Sequence, residues 1–261
     1  MAVAVKGNLY TVKIMTYIAE MARKSEVARP RVRRPANNVA TSRAARKPSA
    51  PRASASGDAP YHHGALHDAL LEAAERVLER DGVAGLTLRA VAREAGVSHA
   101  APTHHFGDLT GLVSELAAIG FRQFNDAMAV AGAAGTSPIE KALARAKAYV
   151  AYAQAHPGMY GLMFRTERLD MKRPSLHEAA SAAFAGLAGA VGASRHEHIS
   201  EQAFSLEQAA AIVRAWSLVH GFTMLLLDGR LSDILRRLPK GTDAETLLDA
   251  MLKLTVGRPG T

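Results

Sequence analysis

The sequence predicts an all-α protein, with a three-helix N-terminal domain that contains a helix-turn-helix and a larger helical domain after it. Hydrophobic residues make up 48% of the 261 residues but aromatic residues only 5%, and alanine is abundant, a composition that favours packed helices over sheets. The apolar residues recur at intervals of three and four, which places them on one face of a helix. No alternation typical of a β-strand persists beyond about the first twenty residues.

The composition excludes several kinds of site. The chain has no cysteine, so disulfides, thiolate zinc sites and cysteine nucleophiles are excluded. No apolar run approaches the roughly 18 residues of a membrane span. The strongest candidate, residues 218–227, is interrupted by His220 and Gly221. The sequence therefore predicts that no membrane is a partner.

Residues 86–106 predict two short helices joined by a turn. The first helix carries a narrow apolar stripe, formed by Leu88, Val91, Ala92 and Ala95. Gly96 supplies the permissive backbone of the turn, and Ser98 is expected to cap a second helix that runs from about His99 to Phe106. Two short helices joined by a glycine-containing turn of about three or four residues form a helix-turn-helix, whose second helix enters the DNA major groove.

The flanking segments extend this pattern. An amphipathic helix precedes it, stops near Asp81-Gly82 and carries the stripe Leu66, Leu70, Ala74, Val77 and Leu78. Another helix follows, beginning with Leu109, Leu112, Val113 and Leu116. From Tyr61-His62-His63-Gly64 through GLTLRAVAREAGVSHAAPTHHFGDLTGLVSELA, the chain resembles the TetR family of bacterial transcription regulators. The resemblance implies a DNA-binding homodimer.

The resemblance also implies which residues meet double-stranded DNA. The recognition surface is expected to comprise Ser98, His99, Ala100, Thr103, His104 and His105, and the residues expected to reach the DNA backbone are Thr87 and Arg89. Thr103 and Leu109 stand where the family commonly has a Tyr and a Lys that contact phosphate. A threonine hydroxyl can still donate a hydrogen bond to a phosphate, but a leucine cannot.

The positive charge lies mainly outside this domain. Residues 1–60 contain 12 Lys and Arg against 3 Asp and Glu, whereas residues 61–120 contain 4 against 8. Few large apolar residues occur in residues 22–60, so residues 1–60 are expected to form a disordered basic extension. Three alternatives stay open for it: an arm that follows DNA phosphates, a dispensable extension, or a misassigned start codon.

Past residue 120 the chain predicts about five longer helices. A capping box at Ser137-Pro138-Ile139-Glu140 opens a helix to about Ala155. Further helices are expected at Met159–Phe164, Ser175–Val191 and Leu206–Leu227, with a last one capped by Thr242-Asp243-Ala244-Glu245. The Trp-x-x-x-His-Gly pattern of Trp216, His220 and Gly221 resembles a C-terminal domain class of TetR-like regulators.

That resemblance implies a pocket for an unknown small-molecule effector. Its candidate lining residues are Tyr149, Tyr152, Tyr160, Met163, Phe164, Trp216, His220 and Met224. Methionines and aromatics suit an adaptable apolar site, but the same residues at helical spacing also form an ordinary core. Trp216 and His220, four residues apart on one helix face, also fit a structural pair.

Two long C-terminal helices offer apolar surface for a homodimer interface. The residues expected on it are Leu218, Phe222, Leu225, Leu226, Leu247, Leu248, Met251 and Leu252. Dimerisation places two recognition helices about one DNA turn apart, which predicts a palindromic operator.

Catalysis and metal binding find little support. No G-x-S-x-G, P-loop or H-E-x-x-H motif occurs, so we expect neither an enzyme nor a cofactor. His62, His63 and His67, or His196 and His198, are the metal-site alternatives, but no cysteine or clear carboxylate partner accompanies them, and we expect no metal.

The sequence thus predicts a bacterial, cytoplasmic and nucleoid-associated TetR-like repressor that binds DNA as a homodimer. Its expected parts are an N-terminal extension (1–60), a DNA-binding domain (61–108) and an effector-binding and dimerisation domain (109–256). The alternative is an effector-independent architectural DNA-binding protein whose basic arm provides sequence-tolerant affinity.

Overall fold

The computed structural model describes residues 62–200 and 203–256, so the extension predicted for residues 1–60 lies outside the described residues. The described residues form α-helices and one 3₁₀ turn, Thr166–Arg168, with no β-strand among them, and the predicted all-α class is confirmed. The helices are α1 (His62–Gly85), α2 (Leu88–Glu94), α3 (Ala101–Phe106), α4 (Leu109–Ala133), α5 (Pro138–Ala155), α6 (Pro157–Met163), α7 (Pro174–Arg195), α8 (Leu206–Leu227), α9 (Ser232–Leu235) and α10 (Ala244–Val256).

Helix α1 buries the apolar stripe predicted for it. The most deeply buried of these residues, at most 1% exposed, are Leu70, Ala74, Val77 and Leu78. The break expected near Asp81-Gly82 is a kink, because Gly82 has non-helical angles (φ 67°, ψ −177°) and helical turns resume up to Gly85.

Helices α2 and α3 form the predicted helix-turn-helix. Gly96 adopts a positive φ of 70°, the left-handed region that a residue with a Cβ rarely occupies. Val97 follows and packs, half-buried, against the core, while its N–H donates to the carbonyl of Ala92 (3.0 Å). Gly96 therefore has the role in the turn that the sequence pattern predicted.

The predicted start of the recognition helix is wrong by two residues. Helix α3 begins at Ala101 rather than His99, and its capping residue is Ala100, which makes no side-chain cap. Ser98 contributes its backbone carbonyl instead, which accepts from the N–H of Ala101 (3.0 Å). Pro102 lies in the first turn, where its missing N–H costs no helical hydrogen bond. The first turn of α3 therefore has one fewer backbone N–H that needs a capping partner.

Helix α4 lies at the centre of the molecule. It packs against α1 and α3 on one side and against α5, α6 and α7 on the other. The largest hydrophobic cluster follows it without interruption, from Leu70 in α1 through Leu116 in α4 to Leu176 in α7. The helix-turn-helix therefore shares this cluster with α5, α6 and α7, while α8 and α10 pack in two smaller clusters.

The C-terminal helices follow the sequence pattern closely. The capping box of Ser137 and Glu140 opens α5, and α8 has the predicted bounds. Helix α7 is longer than predicted, since Pro174 begins it and left-handed His196 (φ 57°) ends it. The short helix α9 was not predicted.

By length and composition alone, helix α8 could span a membrane. Only 22% of its most apolar 18-residue stretch is buried within the protomer. Leu225, one of the residues expected on a dimer face, is 44% exposed on this helix. Phe222, Leu248 and Leu252 do not lie on such a face: they are at most 6% exposed and form a core with Val150 of α5. Helix α10 packs on its own protomer through Leu248 and Leu252, which their apolar spacing alone could not reveal.

Candidate functional site

The exposed part of the helix-turn-helix is the turn and the outer face of α3. Five of the predicted recognition residues are exposed and His105 is half-buried; the exposed ones are Ser98, His99, Ala100, Thr103 and His104. Pro102 and Phe106 point inward and are buried, with Phe106 only 4% exposed. The short helix is therefore anchored on one side and presents hydroxyl and imidazole groups on the other.

Histidine rings surround the end of α3. The centroids of His104 and His105 are 5.7 Å apart, and His67 from α1 lies 6.2 Å from His105 and 4.9 Å from Phe106. Sequence reasoning did not place His67 at this surface as a contact of α3, because only the packing of α1 brings it there. Within residues 62–200 and 203–256, no three His, Cys, Asp or Glu side chains form a group able to hold a metal ion.

The two residues expected to reach the DNA backbone lie at the start of α2. Thr87 caps this helix, because its hydroxyl accepts from the N–H of Ala90 (3.1 Å). The hydroxyl proton of Thr87 stays available for donation to a phosphate oxygen. Arg89, in the first turn of the helix, is exposed.

Two arginines of α1 are held by carboxylates rather than presented to solvent as isolated charges. Glu94 of α2 accepts from Arg76 (3.1 Å) and from Arg80 (2.8 Å), and Arg80 also pairs with Asp81. The hydrogen bond from Arg80, followed by that from Arg76, lowers the pKa of Glu94 below its ordinary value. This network joins α1 to α2 and leaves Arg89 as a basic group at the start of α2.

A second polar site lies inside the C-terminal helices. The hydroxyls of Tyr149 (α5) and Tyr160 (α6) are 3.0 Å apart, and Nδ1 of His220 (α8) is 2.9 Å from the first and 2.7 Å from the second. Phe164 and Trp216 flank the imidazole, with ring centroids at 4.9 Å and 6.2 Å from it. We call these five residues the aromatic cluster.

Burial keeps the aromatic cluster uncharged. It lowers the pKa of His220 below 6.5 and raises the pKa values of Tyr149 and Tyr160 above 10. A neutral His220 with its proton on Nε2 can accept at Nδ1 from Tyr160, and Tyr160 can in turn accept from Tyr149. Both hydroxyl protons are then used, so this tautomer, assigned from the contacts, satisfies the cluster.

The other predicted effector-site residues lie apart from this cluster. Tyr152 donates to the backbone carbonyl of Gly120 (3.0 Å), and its hydroxyl lies 4.0 Å from the sulfur of Met163. Met224 is 40% exposed. Phe124 was missed: its ring lies 5.0 Å from that of Tyr149 and 5.4 Å from that of Tyr152, so it joins the two groups, and the apolar spacing of α4 was its only signal.

Comparison with known proteins supports both halves of this arrangement. Residues 70–116 match the family model of bacterial regulatory proteins of the tetR family, and residues 142–254 match that of the tetracyclin repressor-like C-terminal domain. The HTH-type transcriptional regulator Rv0681 of Mycobacterium tuberculosis is 29% identical over 192 residues, which cover 73% of this chain and 80% of that protein.

Solved structures show the same fold. A protein from Rhodococcus sp. RHA1 is 32% identical with a TM-score of 0.59, over 76% of this chain and 96% of that one. The transcriptional regulator FadR from Bacillus subtilis, in complex with stearoyl-CoA, is 16% identical with a TM-score of 0.54, over 73% and 98% of the two chains. The fold is that of a helix-turn-helix regulator. The chain belongs to the TetR family of transcriptional regulators.

Proposed function

We propose that this regulator is a homodimeric repressor that reads a palindromic operator through α3 and is released by a small-molecule effector. The observation that carries the proposal is the two-sided character of α3. Its inner face is fixed by Pro102 and Phe106, while Thr103 and His104 are exposed on its outer face. Residues 61–108 would form the DNA-binding domain and residues 109–256 the effector-binding and dimerisation domain.

The outer face suits base recognition better than charge attraction. An imidazole nitrogen can donate to or accept from a base edge in the major groove, and a hydroxyl can do either. Because residues 61–120 contain more acids than bases, phosphate anchoring would rest on Thr87, Arg89 and the basic residues 1–60. We place Ser98, His99, Ala100 and His105 at the same contact.

The exposed apolar surface of α8 supports the homodimer. Met224 is 40% exposed and Leu225 is 44% exposed. Both lie on a helix whose most apolar stretch is largely unburied within the protomer. Apolar surface of this kind is stabilised when a second copy covers it, and a two-fold axis through α8 would give each dimer two recognition helices. The spacing of those helices would set the spacing of the operator half-sites.

The aromatic cluster is the proposed place of effector action. It joins α5, α6 and α8 through side chains that are uncharged and enclosed by rings, which suits a largely apolar molecule. FadR, which shares the fold, was solved with stearoyl-CoA bound. An effector that fits one arrangement of these helices better than another would shift the population of dimers away from the DNA-bound spacing.

The proposal is tested by selecting duplexes from a random-sequence library with the purified full-length protein at near-physiological salt. A palindrome with two half-sites is the expected result, bound about 10³-fold or more tighter than random duplex. Recovery without a consensus would contradict it and favour the architectural alternative, in which the charge of residues 1–60 dominates binding.

A further inference from the structure

Helices α3 and α4 approach each other closely at their junction. A Cβ placed on Gly111, in the first turn of α4, would collide with the carbonyl oxygen of Phe106, the last residue of α3. The same Cβ would lie 3.1 Å from Nη1 of Arg173. The guanidinium of Arg173 therefore sits beside the point where the recognition helix ends, although Arg173 precedes α7 in the C-terminal part of the chain.

Arg173 is fixed at this junction by an ion pair. Its Nε donates to Oε1 of Glu115, one turn further along α4, at 2.6 Å. The side chains are only 27% and 18% exposed, so this pair is less open to solvent than the pairs that Arg76 and Arg80 make with Glu94. Burial is the largest single influence and would raise the pKa of Glu115, but the hydrogen bond and charge of Arg173, with contributions from Ser175 and His67, together outweigh it and the pKa is lowered.

A second bond ties the same segment to α4. The hydroxyl of Ser114, which is fully buried, accepts from the N–H of Asp170 at 2.8 Å and donates to the carbonyl of Thr110 at 2.6 Å. The residues that precede α7 are thus held to the first two turns of α4 at two adjacent positions. The first of these turns contains Gly111, which lies against the carbonyl oxygen of Phe106.

His67 of α1 also lies at the end of α3. Its ring lies 4.9 Å from that of Phe106, and a protonated His67 interacts favourably with the charge of Glu115. The end of α3 thus lies next to His67 of α1 and next to the first turn of α4, where Arg173 sits.

We propose that Glu115 and Arg173 are positioning residues for DNA binding: their ion pair holds the end of α3 against α4 at the angle that the major groove requires. This inference rests on the proposed function of α3 as the DNA-reading helix. The two residues lie behind α3, and they would act on DNA through Phe106 and Gly111.

The test uses the full-length protein and the duplex recovered by the library selection, at fixed salt. Glu115→Gln keeps the size of the side chain but removes a negative charge, so electrostatics alone would strengthen binding to polyanionic DNA. Positioning predicts the opposite sign: affinity for the selected duplex falls by about fivefold or more, the lower end of usual coupling between sites. Affinity for random duplex falls less, because it depends little on the angle of α3.

Arg173→Lys supplies a second variant, since it keeps the charge and loses the fork that reaches both Glu115 and the α3–α4 junction. It should lose specific affinity as well, whereas Lys172→Gln, which removes an exposed charge next to it, should have a much smaller effect. Thermal unfolding confirms that each variant is folded at the assay temperature. Unchanged or tighter specific binding by Glu115→Gln overturns the inference, while failure of the wild type to select any duplex overturns the proposed function instead.

Discussion

The hydroxyl of Tyr160 lies 2.7 Å from Nδ1 of His220, although 60 residues separate them in the chain. Tyr160 is 1% exposed, so its hydroxyl has exchanged water for this contact and for that with Tyr149. A buried polar group that loses its partner keeps the full cost of having left water. The aromatic cluster therefore stabilises the packing of α5, α6 and α8, and it favours the one arrangement of these helices in which its polar groups are paired.

Removing this hydroxyl should destabilise the protein. We expect Tyr160→Phe to lower the free energy of unfolding by about 0.5–1.5 kcal/mol, because the network loses one hydrogen bond while Tyr149 can still donate to Nδ1 of His220. Urea denaturation followed by circular dichroism measures the change. In a double-mutant cycle with Tyr149→Phe the two losses should not add, since both hydroxyls belong to one network. Additive losses would contradict the network.

The pH dependence of stability should report on His220. Burial lowers its pKa in the folded protein, so the unfolded chain takes up a proton at higher pH than the folded protein does. The contribution of neutral His220 to the free energy of unfolding is therefore fully present above about pH 6.5. It decreases as the pH falls below that value, because the unfolded chain then binds the proton more readily than the folded protein. His220→Asn should flatten the decline of Tm between about pH 7.5 and pH 5. His99→Asn, an exposed control, should retain the wild-type curve.

Gly111 should not tolerate a methyl group. Gly111→Ala would force its Cβ against the Phe106 carbonyl, and we expect a loss of about 1–3 kcal/mol, as for other overpacked sites, together with weaker DNA binding. Gly186→Ala is the matched control, because a Cβ there, on α7, meets nothing within 4 Å. It should stabilise the protein by about 0.4–1 kcal/mol. Equal behaviour of the two variants in thermal unfolding would rule out the close approach.

Charge on the outer face of α8 should dissociate the dimer. Leu225→Glu places a carboxylate on the surface proposed to meet the second copy, so we expect monomers in sedimentation velocity and a loss of operator binding. Val130→Glu changes an equally apolar residue on α4 that is 75% exposed, and it should leave the assembly unchanged. A dimer that survives Leu225→Glu would place the interface elsewhere.

His104 should discriminate between DNA sequences. His104→Ala removes an exposed imidazole from the outer face of α3, and we expect a loss of about 1–3 kcal/mol in binding to the selected operator, with little change for random duplex. Competition binding at fixed salt measures both affinities. An equal loss for the two duplexes would reassign His104 as a phosphate contact.

Much of the fold could be predicted because its signals are local. The capping box at Ser137 and the left-handed Gly96 each act within about four residues, and the apolar periodicity of α1 and α8 indicates which residues lie on one face. The exception within this range was Ser98, where Pro102 relieved the need for a cap.

Tertiary packing decided the rest. No spacing in the sequence indicated that Arg173 would reach Glu115, 58 residues earlier, or that His67 would lie beside Phe106. Phe222 and Leu225 show the same limit: three residues apart on an apolar helix, one faces the protomer's own core and the other faces outward. Periodicity identifies an apolar face without saying which surface covers it.

The uninterrupted core along α4 has a consequence for how the molecule unfolds. Leu70, Leu116 and Leu176 belong to one hydrophobic cluster, so loss of packing in the helix-turn-helix would also disturb α4 and α7, whereas α8 and α10 pack in separate clusters. Amide hydrogens in α1 and α7 should accordingly exchange through a common opening event with similar free energy. A fragment that ends at residue 108 would lack the α4 residues of this cluster, such as Leu116. We therefore expect that the helix-turn-helix does not fold as an independent DNA-binding domain.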